Sequence, residues 1–185
     1  TAPYAKPGKV EHKTYKPQVK GDASAIARAV ELIANARQPV LYTGGGIINS
    51  GPHATQLLRE LARTTGAPVT STLMGLGAFP SSDPQWLGML GMHGTYEANW
   101  VMNQADVIFC LGARFDDRVT GRLDAFAPNA FKIHVDIDRS SINKTVRVDL
   151  PIIGDVGQVM EDFLAIWKAR GLQPQPLDGR WRQID

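Results

Sequence analysis

Residues 107–121 read VIFCLGARFDDRVTG and place two different patterns side by side. The first six residues form an apolar run that ends in glycine, which is typical of a strand buried on both faces of a parallel sheet. Two arginines and two aspartates follow directly. Because open α/β sheets bind their ligands at the carboxyl ends of the strands, these charged residues predict a ligand site at that edge.

The rest of the chain alternates between short apolar runs and longer stretches with helical spacing. The predicted strands cover residues 39–43, 68–71, 106–111, 131–136 and 150–153, and the predicted helices begin near Asp22 and cover 52–65, 96–104 and 156–169. Residues 73–92 are rich in Gly, Pro and Ser and are predicted to be mostly loop. Strands separated by helices require parallel crossovers, so we expect a three-layer, doubly wound, Rossmann-like α/β sheet of five or six mainly parallel strands.

Length and composition favour one domain between two linkers. The chain has 185 residues, of which 43% are hydrophobic. Residues 1–20 combine prolines and lysines without an apolar face and are predicted to be a linker, residues 21–170 the domain, and residues 171–185 a C-terminal linker. Linkers at both ends indicate a piece from the middle of a longer protein.

Charge, hydropathy and cysteine content argue against several classes of partner and of protein. A net charge of +2 without a dense basic face argues against nucleic acid, and the chain has neither an apolar run of about 18 residues nor a signal-peptide pattern, so no membrane partner is expected. The single cysteine, Cys110, lies in an apolar strand and is predicted to be a buried hydrophobe. The lack of a disulfide framework suits a reducing, cytoplasmic compartment.

The loop after the first predicted strand contains Gly44-Gly45-Gly46, whose glycines let a backbone approach a phosphate or dinucleotide closely. A tight turn explains the same glycines. The nicotinamide fingerprint requires a third glycine or alanine where Asn49 stands and an acid at the end of the second strand, which is absent. A nicotinamide site is therefore disfavoured.

The arginines of the opening segment are four residues apart and can address one anion. The planar guanidinium suits phosphate, and Asp116 or Asp117 can hold it or accept a ribose hydroxyl; surface ion pairing is the alternative. Asp136 closes a buried strand, an arrangement that binds ribose hydroxyls elsewhere. Asp155 also follows a buried strand and could bind a hydroxyl in the same way, or it caps the final helix.

Two further loops can hold a planar heterocycle. Hydroxyls at Ser71 and Thr72 close a strand, and a glycine-flanked pair offers the Met92 side chain for packing and a ring nitrogen of His93. No second ligand lies at metal-binding spacing from His93, so no metal site is predicted.

The sequence offers no catalytic set of its own. It contains no activated Ser or Cys with a base, no carboxylate pair in a catalytic context and no lysine-bearing phosphate loop. We therefore expect a cofactor-holding module without catalytic residues, for a ligand as long as a dinucleotide.

Five motifs carry a resemblance to a known family. The chain from about residue 20 to 170 resembles the central domain of acetohydroxyacid synthase, also called the acetolactate synthase large subunit. The motifs are Gly44-Gly45-Gly46, residues 71–77 (STLMGLG), 90–95 (LGMHGT), 114–121 (RFDDRVTG) and 134–138 (HVDID).

The resemblance implies a three-domain thiamine-diphosphate enzyme. Its flanking domains, which are missing from this chain, bind thiamine diphosphate and a divalent metal such as Mg, and its middle domain binds FAD, which takes no net redox part. The full enzyme joins pyruvate to a second pyruvate or to 2-oxobutyrate in branched-chain amino-acid synthesis, with a possible regulatory small subunit. The fragment alone is expected to be inactive.

The resemblance also implies site residues. The positions that match FAD contacts are Gly45, Thr72, Leu73, Leu90, Gly91, Met92, His93, Gly112, Ala113, Arg114, Asp116, Arg118, Asp136, Ile137, Asp155 and Val156. Met92, Asp117 and Arg118 also match the side that faces the substrate channel and herbicide pocket. Where the family has an arginine near the N-terminus, this chain has Lys13, which lacks the bidentate fork and is left out of the predicted site.

Two alternatives stay open from the sequence. One is the middle domain of a related thiamine-diphosphate enzyme that binds ADP or nothing, and the other is a nicotinamide-dependent oxidoreductase domain. The string RFDDRVTG favours the flavin-binding branch over the catabolic acetolactate synthases, which share the fold but lack FAD.

Overall fold

A computed structural model describes Pro3 and residues 16–184. The predicted N-terminal linker falls mostly outside these residues, as does Lys13. The helices are α1 (Ala23–Asn35), α2 (Gly45–Ser50), α3 (Pro52–Thr65), α4 (Tyr96–Gln104), α5 (Asp117–Thr120), α6 (Val156–Ala169) and α7 (Asp178–Ile184). The strands are β1 (Pro39–Thr43), β2 (Val69–Ser71), β3 (Trp86–Met89), β4 (Val107–Leu111), β5 (Phe131–Asp136) and β6 (Leu150–Ile153).

All six strands are parallel and form one sheet in the order β3-β2-β1-β4-β5-β6. This is the doubly wound α/β fold that the alternation of strands and helices predicts, and the fold-class prediction is confirmed. Successive strands run outward from β1 in one direction and then from β4 in the other. The crevice between the ends of β1 and β4 is therefore the topological switch point, where such sheets bind ligands.

Strand residues alternate between two cores because successive side chains point to opposite faces. Leu41 and Phe109 face the larger core, which α1, α3 and α6 cover. Val40 and Ile108 face the smaller core, which α4 covers. Both faces of the central strands are buried, which explains why their sequences are continuously apolar.

Local signals set the ends of the helices. The Asp22 side chain accepts a hydrogen bond from the Ala25 N–H and so caps α1. Pro52 stands in the first turn of α3, and Gly66 ends that helix in the left-handed conformation. The observed bounds of α3 and α4 coincide with the predicted ones.

Four elements differ from the sequence predictions. The short helices α2 and α5 lie in segments predicted to be loops, and the other two are β3 and α7. Strand β3 lies within residues 73–92, predicted to be mostly loop; it is a partly exposed edge strand with an irregular register and a left-handed glycine, Gly88. Helix α7 lies within the predicted C-terminal linker. It packs on the domain through Trp181, whose indole N–H donates to the Gly66 carbonyl over 3.2 Å. Leu177, directly before the helix, is also buried.

Within residues 16–184, no helix combines the length and apolarity needed to cross a bilayer.

Candidate functional site

A cleft of about 930 Å³ runs along the carboxyl edge of the sheet. Loops that follow all six strands line it, and its middle lies at the switch point between β1 and β4. The volume is near the upper end of the usual range for small-molecule sites, about 300–1,000 Å³. The cleft is therefore large enough for an extended ligand.

Glycines join the loops at the switch point by close backbone contact. A Cβ on Gly46 would lie 2.6 Å from the Gly112 Cα, and a Cβ on Gly44 would lie 2.6 Å from the Ala113 Cα. The Gly46 N–H donates to the Gly112 carbonyl over 2.9 Å. Gly44 and Gly46 are thus required by the neighbouring loop, a reason that the sequence analysis did not identify. Gly45 and Gly46 both line the cleft.

The segment after β4 supplies the cationic side chains of the cleft. Arg114 pairs with Asp116 over 3.3 Å, and an Arg118 nitrogen lies 4.0 Å from an Asp117 oxygen. All four side chains are exposed. Exposed pairs of this kind contribute at most about 1 kcal/mol. Both guanidinium groups can therefore turn toward an anion in the cleft at little cost.

The end of the cleft beside β5 and β6 is acidic. The Asp136 carboxylate accepts the Asp138 N–H over 2.8 Å, and burial raises the pKa of Asp136 despite that bond and the nearby His134. The Asp155 carboxylate accepts the Gly157 N–H over 3.0 Å and the Ser50 hydroxyl over 2.8 Å. Asp155 thus caps α6, one of the two roles predicted for it, and it also lines the cleft.

The opposite end, beside β2 and β3, is apolar. Leu73, Met74 and Met92 are about two-thirds to three-quarters exposed, and all three line the cleft. Exposed apolar side chains that share a concave surface are typical of a ligand or partner site. This end suits a flat apolar group.

Of the predicted cofactor residues, all but Gly91 line the cleft. They are Gly45, Thr72, Leu73, Leu90, Met92, His93, Gly112, Ala113, Arg114, Asp116, Arg118, Asp136, Ile137, Asp155 and Val156, and the predicted channel residue Asp117 joins them. Gly91 packs behind the wall, where a Cβ would collide with the Arg118 carbonyl. The Asn99 side chain holds it there by accepting the Gly91 N–H and donating to the Gly91 carbonyl.

Several residues of the site were not predicted. Asn49, Ser50, Met74, Met89, Val119 and Ser141 also line the cleft. For Ser50 and Ser141, short hydroxyl residues near predicted strand ends were the available signal. Asn49 was considered only as a departure from the nicotinamide fingerprint.

Buried polar groups support the segment after β4 from below. The Tyr42 hydroxyl donates to the Arg114 carbonyl over 2.8 Å. The His134 Nε2 lies 2.8 Å from the Ala113 carbonyl oxygen, and the Cys110 thiol donates to the same oxygen over 3.1 Å. Cys110 is fully buried, as predicted, and burial raises the pKa of its thiol well above the ordinary value. The thiol is therefore a structural donor.

No group of three or more His, Cys, Asp or Glu side chains in the part of the chain that the structure describes is arranged to hold a metal ion. His93 lines the cleft and is exposed.

Comparison with known proteins identifies a matching family and similar proteins. Residues 26–163 match the family described as "Thiamine pyrophosphate enzyme, central domain". The acetolactate synthase isozyme 3 large subunit of Escherichia coli K12 is 48% identical to the chain over 186 aligned positions, which cover 99% of the chain and 32% of that protein.

Two further relatives agree. The acetolactate synthase large subunit of Haemophilus influenzae is 45% identical, with 99% of this chain and 32% of that protein covered. The acetolactate synthase of Mycobacterium bovis is 51% identical over 160 residues, with 86% of this chain and 26% of that protein covered. The chain thus spans about a third or less of the length of these relatives.

Proposed function

Because this chain belongs to the thiamine pyrophosphate enzyme family as its central domain, we propose that it is the FAD-binding middle domain of an acetolactate synthase large subunit. The observation that carries the proposal is the convergence of the predicted FAD residues on one cleft at the switch point of the sheet. Their loops come from six strands that are spread over more than 100 residues of sequence, so this convergence is a property of the fold.

The chemistry of the cleft changes along its length in the order that FAD requires. The apolar end, with Leu73, Met74 and Met92, suits the isoalloxazine ring. Arg114 and Arg118 in the middle suit the diphosphate. At the acidic end, the carboxylates of Asp136 and Asp155 suit the adenosine hydroxyls, with the Asn49 amide nearby.

Nicotinamide binding fits less well. The helix that follows β1, α2, has only six residues and ends at Gly51 before α3 begins. A short helix has a weak macrodipole, and the dinucleotide fingerprint depends on a longer helix that starts at this loop. Strand β2 ends in Ser71, and Thr72 follows it, so no acid stands at the end of this strand. These features argue against the nicotinamide fingerprint at this loop.

In the complete enzyme, FAD would take no net redox part, and we propose that this domain contributes binding and shape. Met92, Asp117 and Arg118 would face the substrate channel. The Arg118 side chain is mostly exposed, so its guanidinium is free to attract the carboxylate of pyruvate or 2-oxobutyrate. The chain would supply no catalytic residue and would be inactive alone.

The remaining parts of the reaction would come from outside the chain. The relatives are about three times as long, which supports flanking domains that bind thiamine diphosphate and Mg. These relatives are large subunits, which supports a smaller regulatory partner. We place the protein in the cytoplasm because its single cysteine is buried and reduced.

A ligand titration tests the proposal. The purified chain is titrated with FAD, ADP and NADH in parallel, and binding is followed by flavin fluorescence and calorimetry. Saturable binding of FAD that is tighter than that of NADH and ADP supports the flavin domain. Preference for ADP favours the related thiamine-diphosphate enzymes, and preference for NADH favours an oxidoreductase.

The activity is tested on the full-length parent protein. With pyruvate, thiamine diphosphate, Mg and FAD, it is expected to form acetolactate, and omission of FAD is expected to lower the rate. Failure to form acetolactate under these conditions would refute the assignment to acetolactate synthase.

A further inference from the structure

A row of three buried polar side chains lies directly under the Ala113–Phe115 segment. Tyr42 on β1, Cys110 on β4 and His134 on β5 are register partners on adjacent strands. All three are fully buried and lie on the face of the sheet that α4 covers. Their polar atoms reach only two acceptors in that segment, the carbonyls of Ala113 and Arg114.

The acceptors determine which atoms carry protons. A carbonyl oxygen only accepts, so the His134 Nε2 must donate to the Ala113 carbonyl. In the neutral ring, His134 Nδ1 then carries no proton. Nδ1 has no hydrogen-bond partner among the described residues. Burial lowers the pKa of His134 and raises the pKa values of Tyr42 and Cys110, which keeps the histidine neutral and the other two groups protonated.

The two carbonyls that point inward fix the direction of the backbone N–H groups. In a planar trans peptide the C=O of one residue and the N–H of the next point in opposite directions. Because the Ala113 carbonyl faces His134, the Arg114 N–H points away from it. Within the described residues this N–H has no acceptor, and Ala113 and Arg114, the two residues of this peptide, line the cleft.

We propose that His134 is a positioning residue for the cleft, which turns the Ala113–Arg114 peptide so that the Arg114 N–H faces the bound anion. Tyr42 supports it by fixing the next peptide through the Arg114 carbonyl. The identity of that anion, the diphosphate of FAD, rests on the proposed function. The Phe115 ring locks the arrangement, since it packs edge-on against His134 at 5.3 Å and against Tyr42 at 5.5 Å. His134 also lies 3.8 Å from the cleft residue Asp136.

The test compares four variants with the wild-type chain. His134→Leu removes the donor, His134→Gln keeps an amide donor at a similar reach, and Tyr42→Phe removes only the hydroxyl. Thr65→Val is the matched control, because Thr65 is equally buried and its hydroxyl bonds the Leu61 carbonyl in α3, away from the cleft. Two quantities are measured: the backbone ¹⁵N NMR order parameters of residues 113–116 without ligand, and the FAD dissociation constant.

His134→Leu is expected to lower the order parameters of residues 113–116 into the flexible range, below about 0.6. It should also raise the FAD dissociation constant about tenfold, the effect of losing one buried hydrogen bond. His134→Gln should restore most of both, Tyr42→Phe should give a smaller change in the same direction, and Thr65→Val should change neither. If His134→Leu does not fold, Tyr42→Phe and His134→Gln test the positioning role by the same two measurements.

A pH profile separates positioning from general stability. Protonation gives Nδ1 a hydrogen without an acceptor, so the FAD affinity of the wild-type chain should fall as the pH is lowered below about 6.5, and that fall should be absent in His134→Gln. The titratable and charged groups that face the row are Asp136, Arg114 and Asp116.

The outcomes distinguish the two proposals. Equal order parameters for residues 113–116 in His134→Leu, Thr65→Val and the wild-type chain would overturn the positioning role even if FAD binds. A wild-type chain that binds no FAD would overturn the proposed function, and the order parameters alone would then decide whether His134 positions the loop.

Discussion

Replacement of Gly46 by alanine tests the reason for the glycines at the switch point. The new Cβ would lie 2.6 Å from the Gly112 Cα and 2.9 Å from the Gly112 carbonyl oxygen. Ordinary carbon–carbon contacts are about 3.5–4.0 Å, so the two loops would have to separate by about 1 Å. Overpacking of this kind costs about 1–3 kcal/mol.

An opposing effect must be subtracted. Gly46 lies in α2 and its backbone is not in the left-handed region, so alanine gains about 0.5–1 kcal/mol of helix propensity. The expected net loss is about 1–2 kcal/mol in the free energy of unfolding. Because the displaced loop carries Arg114, the FAD dissociation constant should rise as well.

The assay is urea unfolding followed by circular dichroism, with Gly179→Ala as the matched control. Gly179 lies in α7, and a Cβ there meets nothing within 4 Å. Gly179→Ala should leave stability unchanged or raise it slightly. If Gly46→Ala is as stable as Gly179→Ala and binds FAD like the wild-type chain, the close contact between the loops is not what requires glycine.

Three further predictions concern charged and titratable groups. Arg118→Ala should raise the FAD dissociation constant about 5- to 150-fold, or about 1–3 kcal/mol, in a fluorescence titration. Arg63→Ala, at the exposed end of α3, is the control and should not change the constant. An unchanged constant for Arg118→Ala would assign that side chain to surface pairing. Asp155→Ala should lower the free energy of unfolding by about 1–2 kcal/mol because α6 loses its cap. Ser50→Ala should lower it less, because the cap remains. Equal losses in the two variants would contradict this. Burial lowers the pKa of His134 in the folded state below 6.5, so stability should be intact above that pH and fall as the pH drops through it, with a slope of at most about 1.4 kcal/mol per pH unit. His134→Gln should remove this slope in pH-dependent urea unfolding, and a slope that persists in the variant would show that another group causes it.

Most of the fold could be predicted because its strands and helices carry strong periodic patterns. The continuous apolar runs of β1 and β4 and the helical stripe of α1 are direct consequences of burial. Strand β3 was missed because an edge strand needs few apolar residues and this one contains Gly88. Helix α7 was missed because its packing depends on contacts with distant parts of the chain, such as Trp181 with Gly66.

The cleft could be located for a related reason. Parallel strands bring their carboxyl ends to one edge, so residues that follow predicted strands converge wherever they stand in the sequence. The supporting contacts could not be found this way. Ser50 bonds Asp155 across 105 positions, and His134 reaches Ala113 across 21. Such pairs depend on the register of neighbouring strands and the packing of helices, which hydrophobic periodicity does not specify.

The glycines after β1 could be predicted in part. From the sequence, Gly44-Gly45-Gly46 indicates either a close approach to a ligand or a tight turn. For Gly44 and Gly46 the approaching group is the backbone after β4, a partner that only the three-dimensional arrangement identifies. A glycine run after a strand therefore predicts crowding at that point more reliably than it predicts what causes the crowding.

The central claim is that one cleft holds a single FAD across the switch point, and a crystal structure of the chain with FAD tests it most directly. The account predicts continuous ligand density, with the isoalloxazine ring beside Met92, the diphosphate beside Arg114 and the adenosine beside Asp136 and Asp155. Density for FAD at another surface, or a reversed ligand with the flavin at the acidic end, would contradict it.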